Sequence, residues 1–238
     1  MTITRTQSYV RGTGTTSATA TYGSATTAGN LLIARAKGTA ATAGGTIPGW
    51  TAAVSVQYGP ASGWITILYK IADGTETTAT VTFASATATA LEIEEWNNTD
   101  PFTGLDKTAS TGTSNSTTKS TGTTATTTVN DELCIAFCAM ASVVTSPSWS
   151  NSFSTDFSEP SGAIVEVGGS KVVSTTDAQE TTCTWTTSRY NAACIATFYG
   201  TASGWTNIAE INGVAVANIS EINGVAVANI SEINGIAK

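Results

Sequence analysis

The segment Asn30-Leu-Leu-Ile-Ala-Arg-Ala-Lys37 returns in similar form as Glu132-Leu-Cys-Ile-Ala-Phe-Cys-Ala139, at an offset of 102 residues (132 − 30). A second match has the same offset, because Thr80-Val-Thr-Phe83 corresponds to Thr182-Cys-Thr-Trp185. Two separate matches at one offset are hard to obtain by chance. They indicate that the body of the chain, residues 1–203, consists of two similar halves, about 1–102 and 103–203.

Each half is predicted to contain short strands bounded by turns with Gly or Pro. The strands are expected near residues 2–10, 30–37, 50–57, 64–71, 77–83 and 90–96, and again near 123–129, 133–140, 163–167, 171–174, 180–185 and 192–199. No segment has a sequence pattern that predicts a helix. The pattern indicates an all-β fold, a jelly-roll-like β-sandwich.

Two questions about this body stay open at the level of sequence. Each half has enough strands for a small sandwich of its own, but Leu31–Ile33 and Leu133–Ile135 are apolar on both faces, which favours one larger sandwich. Between the halves, residues 103–128 are nearly all Thr, Ser, Gly and Ala. Such composition is typical of disorder, although residues 123–129 alternate well enough for a surface strand.

The end of the chain, residues 204–238, repeats an eleven-residue unit (219 − 208). Ile208-Ala-Glu-Ile-Asn-Gly-Val-Ala-Val-Ala-Asn218 returns from Ile219 to Asn229, and a shortened copy runs from Ile230 to Lys238. β-Branched residues alternate with Ala between Asn-Gly pairs, which predicts short strands joined by tight turns. The turn residues are expected to be Asn212, Gly213, Asn223, Gly224, Asn234 and Gly235.

This repeat is too short to bury its own apolar side chains, since stacked repeats need roughly three or more units. We therefore expect it to join copies of the chain, as a homo-oligomer and most simply a trimer. Packing of the repeat on its own body is the alternative. The predicted oligomerisation residues are Ile208, Ile211, Val214, Val216, Ile219, Ile222, Val225, Val227, Ile230, Ile233 and Ile236.

Composition restricts the partners and the location. Charged residues make up only 11% of the chain and hydrophobic residues 41%, the usage of an extracellular or virion protein. The net charge of −7 argues against a nucleic-acid partner. No apolar run approaches roughly 18 residues, so no membrane partner is expected. The polar start at Met1 lacks the apolar core of a signal peptide, which predicts assembly in the host cytoplasm; earlier processing would give the same picture.

The sequence offers little for catalysis. It has no His, which excludes Ser-His-Asp and His-based metal sites. The carboxylate pairs Glu92/Glu94 and Asp131/Glu132 remain, but sequence neighbours do not establish a cleft. The four cysteines are expected to be small buried hydrophobic residues, although Cys183 and Cys194 could be bridged. We predict no enzyme activity, no cofactor, no catalytic residue and no metal site.

Three tryptophans are candidates for contact with a sugar. Trp50, Trp64 and Trp149 lie beside Gly or Ser at the edges of predicted loops, where an exposed ring could stack on a glycan. Ordinary core packing is the alternative reading for them. Trp96, Trp185 and Trp205 are expected to fill the core or the junction with the repeat.

Several motifs carry a resemblance to a known group of proteins. They are Gly29-Asn-Leu-Leu-Ile-Ala, Pro48-Gly-Trp50, Leu68-Tyr-Lys-Ile-Ala-Asp-Gly-Thr-Glu-Thr77, Leu91-Glu-Ile-Glu-Glu-Trp96 and Asp131-Glu-Leu-Cys-Ile-Ala136. Together, over about residues 25–200, they resemble a sandwich domain common in bacteriophage structural proteins and bacterial surface proteins. The Ile-Asn-Gly-Val-Ala repeats look like those that end phage tail, fibre and decoration-type proteins. The resemblance names no catalytic residue.

The sequence thus predicts a non-enzymatic virion structural protein, either a capsid decoration protein or part of a tail fibre. Its expected partners are copies of itself and other virion proteins of the capsid or tail. The alternative is a carbohydrate-binding adhesin or receptor-binding module, extracellular or at a cell surface, whose partner is a host-surface glycan. Binding to capsid or tail supports the first function, and glycan binding supports the second.

Overall fold

A computed structural model describes residues 2–59, 63–161 and 164–200, together with six dipeptides of the C-terminal repeat. All regular elements of this part are strands, which confirms the all-β prediction. None of the described residues belongs to a helix long and apolar enough to cross a membrane. The finer jelly-roll assignment stays a prediction.

The first half forms one five-stranded sheet with a two-stranded sheet beside it. The lateral order of the large sheet is β1-β7-β3-β5-β4, and β2 pairs with β6. All of these pairs are antiparallel. The strands are β1 (Ile3–Gly14), β2 (Ser17–Thr21), β3 (Leu31–Thr39), β4 (Thr51–Tyr58), β5 (Gly63–Ile71), β6 (Thr78–Thr82) and β7 (Ala88–Asn98).

The second half forms a sheet of the same design. Its main strands run in the order β8-β13-β9-β12-β11, and the short β10 pairs with the start of β13. Shifting the first-half strands by about 102 residues superimposes one order on the other, for example β3 on β9. The strands are β8 (Phe102–Ser120), β9 (Glu132–Met140), β10 (Ser148–Trp149), β11 (Ser154–Ser161), β12 (Ile164–Val173) and β13 (Thr182–Gly200).

Several strands differ from the sequence expectation. The Thr- and Ser-rich stretch contains the long strand β8, which pairs along β13. Residues 123–129 contribute only an isolated bridge, between Thr126 and Ala178. β12 and β13 are each continuous where two strands were expected, while β2, β10 and β11 were not expected. In these segments the pairing partner, rather than the composition, determines whether a strand forms.

The two large sheets pack face to face. Alternate residues of a strand point to opposite sides, so Leu31 and Ile33 of β3 meet Leu133 and Ile135 of β9 in a shared inner core. The outer face of the first sheet is covered by β2 and β6, through Ala20 and other small or aromatic side chains. The outer face of the second sheet carries two further apolar clusters. The result is a sandwich with apolar packing on both faces of each sheet.

The C-terminal repeat contains three short antiparallel pairs. They are β14 (Glu210–Ile211) with β15 (Val214–Ala215), β16 (Glu221–Ile222) with β17 (Val225–Ala226), and β18 (Glu232–Ile233) with β19 (Ile236–Ala237). Each pair forms a two-stranded sheet of its own. The pairing recurs every eleven residues, as the sequence repeat does.

Candidate functional site

Part of the inner face of the first sheet is charged. Arg35 and Lys37 continue the face of β3 that holds Leu31 and Ile33, because residues two apart share a side. On the neighbouring strand β7, Glu92 and Glu94 occupy the same face as Trp96. All four charged residues are buried. Buried charges need partners, and theirs come partly from the opposite sheet.

The second sheet supplies carboxylates at matching places. Asp156 lies at a β-bulge between Thr155 and Phe157 of β11, and a bulge redirects a side chain out of the regular alternation. Asp156 Oδ2 accepts a hydrogen bond from Arg35 Nη2 at 2.7 Å, and Asp156 Oδ1 accepts one from Arg5 Nη2 at 2.6 Å. The bulge thus aims one carboxylate at two arginines of the other sheet.

A second group of ion pairs surrounds Arg11 of β1. Arg11 Nε donates to Glu92 Oε1 at 2.8 Å, and Arg11 Nη2 donates to Glu166 Oε2 of β12 at 3.1 Å. Lys37 Nζ lies 3.3 Å from the other oxygen of Glu166. At the rim, the Tyr9 hydroxyl donates to Glu159 Oε1 at 2.8 Å. These contacts again join the first sheet to the second.

We call this set the inter-sheet charge layer. It contains four cations and five carboxylates: Arg5, Arg11, Arg35, Lys37, Glu92, Glu94, Asp156, Glu159 and Glu166. Burial raises the pKa of Glu92 well above its ordinary value, and the neighbouring Glu166 raises it further. Glu92 and Glu166 both accept hydrogen bonds from Arg11, which holds the two carboxyl groups close to each other.

The cations of the layer respond to the same environment. Burial lowers the pKa of Lys37, although Glu166 acts in the opposite direction. For Arg35 burial also opposes the charged form, but Glu94 and Asp156 outweigh it and raise the pKa. Arg35 therefore stays an arginine cation, whereas the amine of Lys37 loses its proton more readily than an exposed lysine.

Close packing fixes the arginine at the centre of the layer. The Arg35 guanidinium lies over the ring of Phe157, 5.1 Å from its centroid. A Cβ atom placed on Gly168 would overlap both the Arg35 guanidinium and the Phe157 ring. Gly168 is thus needed for the close approach of β12 to Arg35.

The charged positions of the first half have apolar counterparts in the second half. At the same offset of 102 residues, Arg35 corresponds to Phe137 and Glu92 to Cys194, both of which belong to the apolar inner core. The cations of the charge layer therefore lie on the first sheet, and the second sheet contributes carboxylates that contact them. This complementarity favours packing of the first half on the second rather than on a copy of itself.

The structure does not bring the three candidate tryptophans together. Trp50 and Trp64 are partly buried and pack on the outer apolar cluster of the first sheet. Trp149 packs on the outer clusters of the second sheet. The two groups lie on opposite outer faces of the sandwich. Trp96 and Trp185 are buried in core clusters.

An open groove of about 600 Å³ lies on the second half, and Trp149 is not among its lining residues. Its lining is mainly polar and includes Asn151, Ser152, Lys171, Asp177 and Glu180. Asn151 and Ser152 both have left-handed backbone, with φ of 55° and 62°. The Asn151 side chain donates to the Glu180 carbonyl at 2.8 Å, which holds this turn against the segment before β13.

Other sequence candidates can also be located. All four cysteines are buried and free, as expected. Asp131 has left-handed backbone with φ of 59°, while Glu132 is buried at the start of β9. Burial is the largest cause that raises the pKa of Glu132 to about 7, and neighbouring Asp106 adds to it.

Of the predicted oligomerisation residues, six lie in the described pairs of the repeat: Ile211, Val214, Ile222, Val225, Ile233 and Ile236. The others, Ile208, Val216, Ile219, Val227 and Ile230, lie outside the described residues. All six predicted turn residues, from Asn212 to Gly235, lie outside them as well. Each Asn-Gly pair nevertheless separates two strands that pair with each other.

The comparisons with known proteins give no identity. No protein-family model matches the chain, and no curated protein or solved structure is significantly similar to it. Sequence reasoning singled out Glu92 and Glu94 but missed Arg35, Lys37, Asp156 and Glu166. One signal could have found Arg35: the duplication aligns it with an apolar residue on a strand that both halves need for their core.

Proposed function

We propose that this chain is a non-enzymatic structural protein of a virion, a capsid decoration or fibre component, that assembles through its C-terminal repeat. The observation that carries the proposal is the repeat itself. Three antiparallel pairs have equivalent register, with Ile211 opposite Val214, Ile222 opposite Val225 and Ile233 opposite Ile236. A repeated element of this kind is suited to stacking or self-association.

Two-residue strand pairs need additional packing. An isolated two-stranded hairpin is only marginally stable in water, and its outer edges present unpaired backbone groups. Identical repeats from several chains can supply both apolar contacts and pairing partners for the strand edges. A closed ring of three copies does this without leaving an end, so we favour a homotrimer.

The body suits a load-bearing role. Its two sheets are joined by an apolar core and by the inter-sheet charge layer, in which Arg35 contacts Asp156 of the other sheet at 2.7 Å. Breaking such buried pairs is costly, which resists separation of the sheets. The composition, low in charge, and the resemblance to phage structural proteins support the virion as its location, with other capsid or tail proteins as partners.

Light scattering on two chains tests the assembly step. The full-length protein is expected to be an oligomer at micromolar concentration, and a chain that ends at Ser203 is expected to be a monomer. The thermal melt of the shortened chain serves as its control, because it must still show a cooperative transition. A monomeric full-length protein, or a folded shortened chain of unchanged oligomeric state, would contradict the proposal.

A second candidate function is glycan binding by the groove on the second half. The observation in its favour is the row of polar side chains, including Lys171 and Asp177, in an open groove of about 600 Å³. Neutral sugars are recognised by such groups together with a nearby apolar surface, which exposed Val172 provides. A glycan array tests this function: binding should be lost with Lys171→Ala and retained with Lys107→Ala, whereas no binding by the full-length chain excludes it.

A further inference from the structure

A separate open pocket, of about 430 Å³, lies on the second half where β8, β13 and the end of β9 meet. Its lining combines one cation and one aromatic ring with small and hydrogen-bonding residues: Asn115, Ala141, Ser142, Ser188, Arg189 and Tyr190. None of these residues lines the groove that contains Lys171, and none is an Asp or a Glu. The lining therefore has a single charged residue, which is positive.

An irregularity in β13 shapes this pocket. Between the pairs Thr184–Thr118 and Arg189–Ser116, β13 advances five residues (189 − 184) and β8 only two (118 − 116). Bulges of this kind redirect side chains and are frequent beside functional sites. The surplus residues of β13 end with Ser188, so the bulge delivers two of the lining residues in succession.

Hydrogen bonds join the three segments around the pocket. The Tyr190 carbonyl accepts from the backbone N–H of Ala141 at 2.8 Å, which ties β13 to the end of β9. The Ser188 hydroxyl donates to Asn115 Oδ1 at 2.8 Å, which ties the bulge to β8. This bond uses the amide oxygen of Asn115 and leaves its NH₂ group as a donor. The pocket is thus formed before any ligand arrives, as is usual for binding sites.

Arg189 differs from the other arginines of the body. Arg5, Arg11 and Arg35 each contact at least one carboxylate. In the described part of the chain Arg189 has no carboxylate partner: its Nη1 donates to the Ser188 carbonyl at 3.0 Å, and its Nε has no acceptor. A guanidinium presents five N–H donors in a fork that matches a carboxylate. An anion in the pocket would supply the acceptors that Arg189 lacks.

Tyr190 adds an apolar surface beside this cation. Its side chain is 42% exposed, and that of Val143, the residue after Ser142, is 49% exposed. Among the described residues these are two of only three large hydrophobic side chains with such exposure. An aromatic ring at the edge of a polar pocket can pack on the apolar face of a sugar ring, while its hydroxyl group bonds to water or ligand.

We propose that this pocket binds an acidic sugar of a glycan, a sialic or uronic acid, with Arg189 on the carboxylate and Tyr190 on the sugar ring. Asn115, Ser142 and Ser188 supply donors and acceptors for the sugar hydroxyl groups. A carboxylate carries one negative charge, which the single cation balances. A phosphate group carries about 1.5 to 2 negative charges, more than one cation balances.

The internal duplication makes the site specific to the second half. At the offset of 102 residues, Arg189 corresponds to Thr87 and Tyr190 to Ala88. The first half therefore has neither the cation nor the ring at this place, and one site per chain is expected. The inference goes beyond the proposed assembly role and does not depend on the C-terminal repeat, so its failure would leave that role untouched.

Titration calorimetry of the full-length protein tests the site. The acidic probes are sialyllactose and an oligomer of galacturonic acid, and their uncharged counterparts are lactose and an oligomer of galactose. We expect at least one acidic probe to bind once per chain, and its counterpart to bind about tenfold more weakly or not at all. The acidic probe that binds identifies the sugar as a sialic or a uronic acid. Absence of binding by both acidic probes overturns the proposal, and so does equal binding of the uncharged counterpart.

Matched variants assign the roles of the two residues. Arg189→Gln removes the charge and should weaken binding of the acidic probe about tenfold or more, whereas Lys107→Ala should leave it unchanged. Tyr190→Ala should weaken binding, and Tyr190→Phe, which keeps the ring, should retain it. Undiminished binding by Arg189→Gln would overturn the proposal; if Lys171→Ala abolished that binding, the acid would belong to the other groove. A near-ultraviolet spectrum like that of the original chain shows that a variant folds, and the titration of the unaltered chain decides the matter where one does not.

Discussion

Arg35 Nη2 and Asp156 Oδ2 lie 2.7 Å apart across the two sheets, with side chains that are 1% and 0% exposed. The contact depends on the bulge in β11 and on the absence of a side chain at Gly168. Removing charges from water is costly, and the cost is offset only when each charge has its partners. Loss of either member of this pair is therefore expected to destabilise the sandwich.

Arg35→Met is expected to destabilise the protein strongly. Methionine fills much of the same volume, but Glu94 and Asp156 both lose their contacts with Arg35 inside the core. Removing one partner of a buried pair costs about 3–5 kcal/mol. Urea denaturation measures the change. The matched control is Lys70→Met, which breaks a more exposed pair and should cost about 1 kcal/mol or less. Equal effects of the two changes would contradict this account of the charge layer.

Gly168→Ala is expected to weaken the same region by overpacking. The added methyl group overlaps the Arg35 guanidinium and the Phe157 ring, and both are held in place by other contacts. Overpacking of this kind costs typically about 1–3 kcal/mol. In Gly23→Ala the new Cβ would meet only the end of Gln7, at 3.7 Å. Thermal melts of the two variants should show a clearly lower melting temperature for Gly168→Ala alone. An unchanged melting temperature for Gly168→Ala would mean that β12 can move away from Arg35.

The stability of the protein is expected to fall as the pH rises from about 5 to 8. Burial raises the pKa of Glu132 from 4.5 to about 7, so in this interval the folded chain holds a proton that the unfolded chain has released. The free energy of unfolding then decreases with pH, by on the order of 1–3 kcal/mol over the interval. The pKa of Glu92 is raised too, which acts in the same direction.

Urea titrations at several pH values measure this slope. Glu132→Gln should flatten it, whereas Glu180→Gln should leave it unchanged, because hydrogen bonds from Thr123 and Ser120 lower the pKa of Glu180. Below pH 4.5 the sign reverses: hydrogen bonds from Lys70 and Thr26 outweigh burial and lower the pKa of Glu76 to about 2, so its stabilisation is lost on acidification. A stability that rises between pH 5 and 8 is the opposite of what we expect.

The repeat is expected to tolerate change at one position and not at another. Val216→Asp should disrupt the oligomer, because the predicted shared core would have to bury a charge. Ser220→Ala should have almost no effect, since the same place in the other copies holds Ala209 and Ser231. Size-exclusion chromatography compares the two variants. An intact Val216→Asp oligomer beside a disrupted Ser220→Ala would show that the faces are reversed and that the repeat docks on another protein.

Much of the sheet architecture could be predicted from local pattern. Leu31–Ile33 and Leu133–Ile135 are apolar on both faces because each strand is central in its sheet and packed on both sides. The strand β8 could not be predicted this way. Its Thr, Ser and Gly residues have no apolar periodicity, and its conformation follows from pairing with β13.

The charge layer shows a different limit of prediction from the sequence. Spacing alone places Glu92 and Glu94 on one face of a strand, as it does Arg35 and Lys37. It does not indicate that this face is buried, or that Asp156 of the other half is the partner. Asp156 reaches the interior only through a bulge, and a bulge leaves little trace in a sequence.

Native mass spectrometry of the full-length chain tests the central claim, assembly through the C-terminal repeat, most directly. The account predicts one dominant species of three copies at micromolar concentration, which a chain ending at Ser203 does not form. A full-length protein that is monomeric under the same conditions would contradict the account, because three equivalent strand pairs would then exist without the self-association they are proposed to serve.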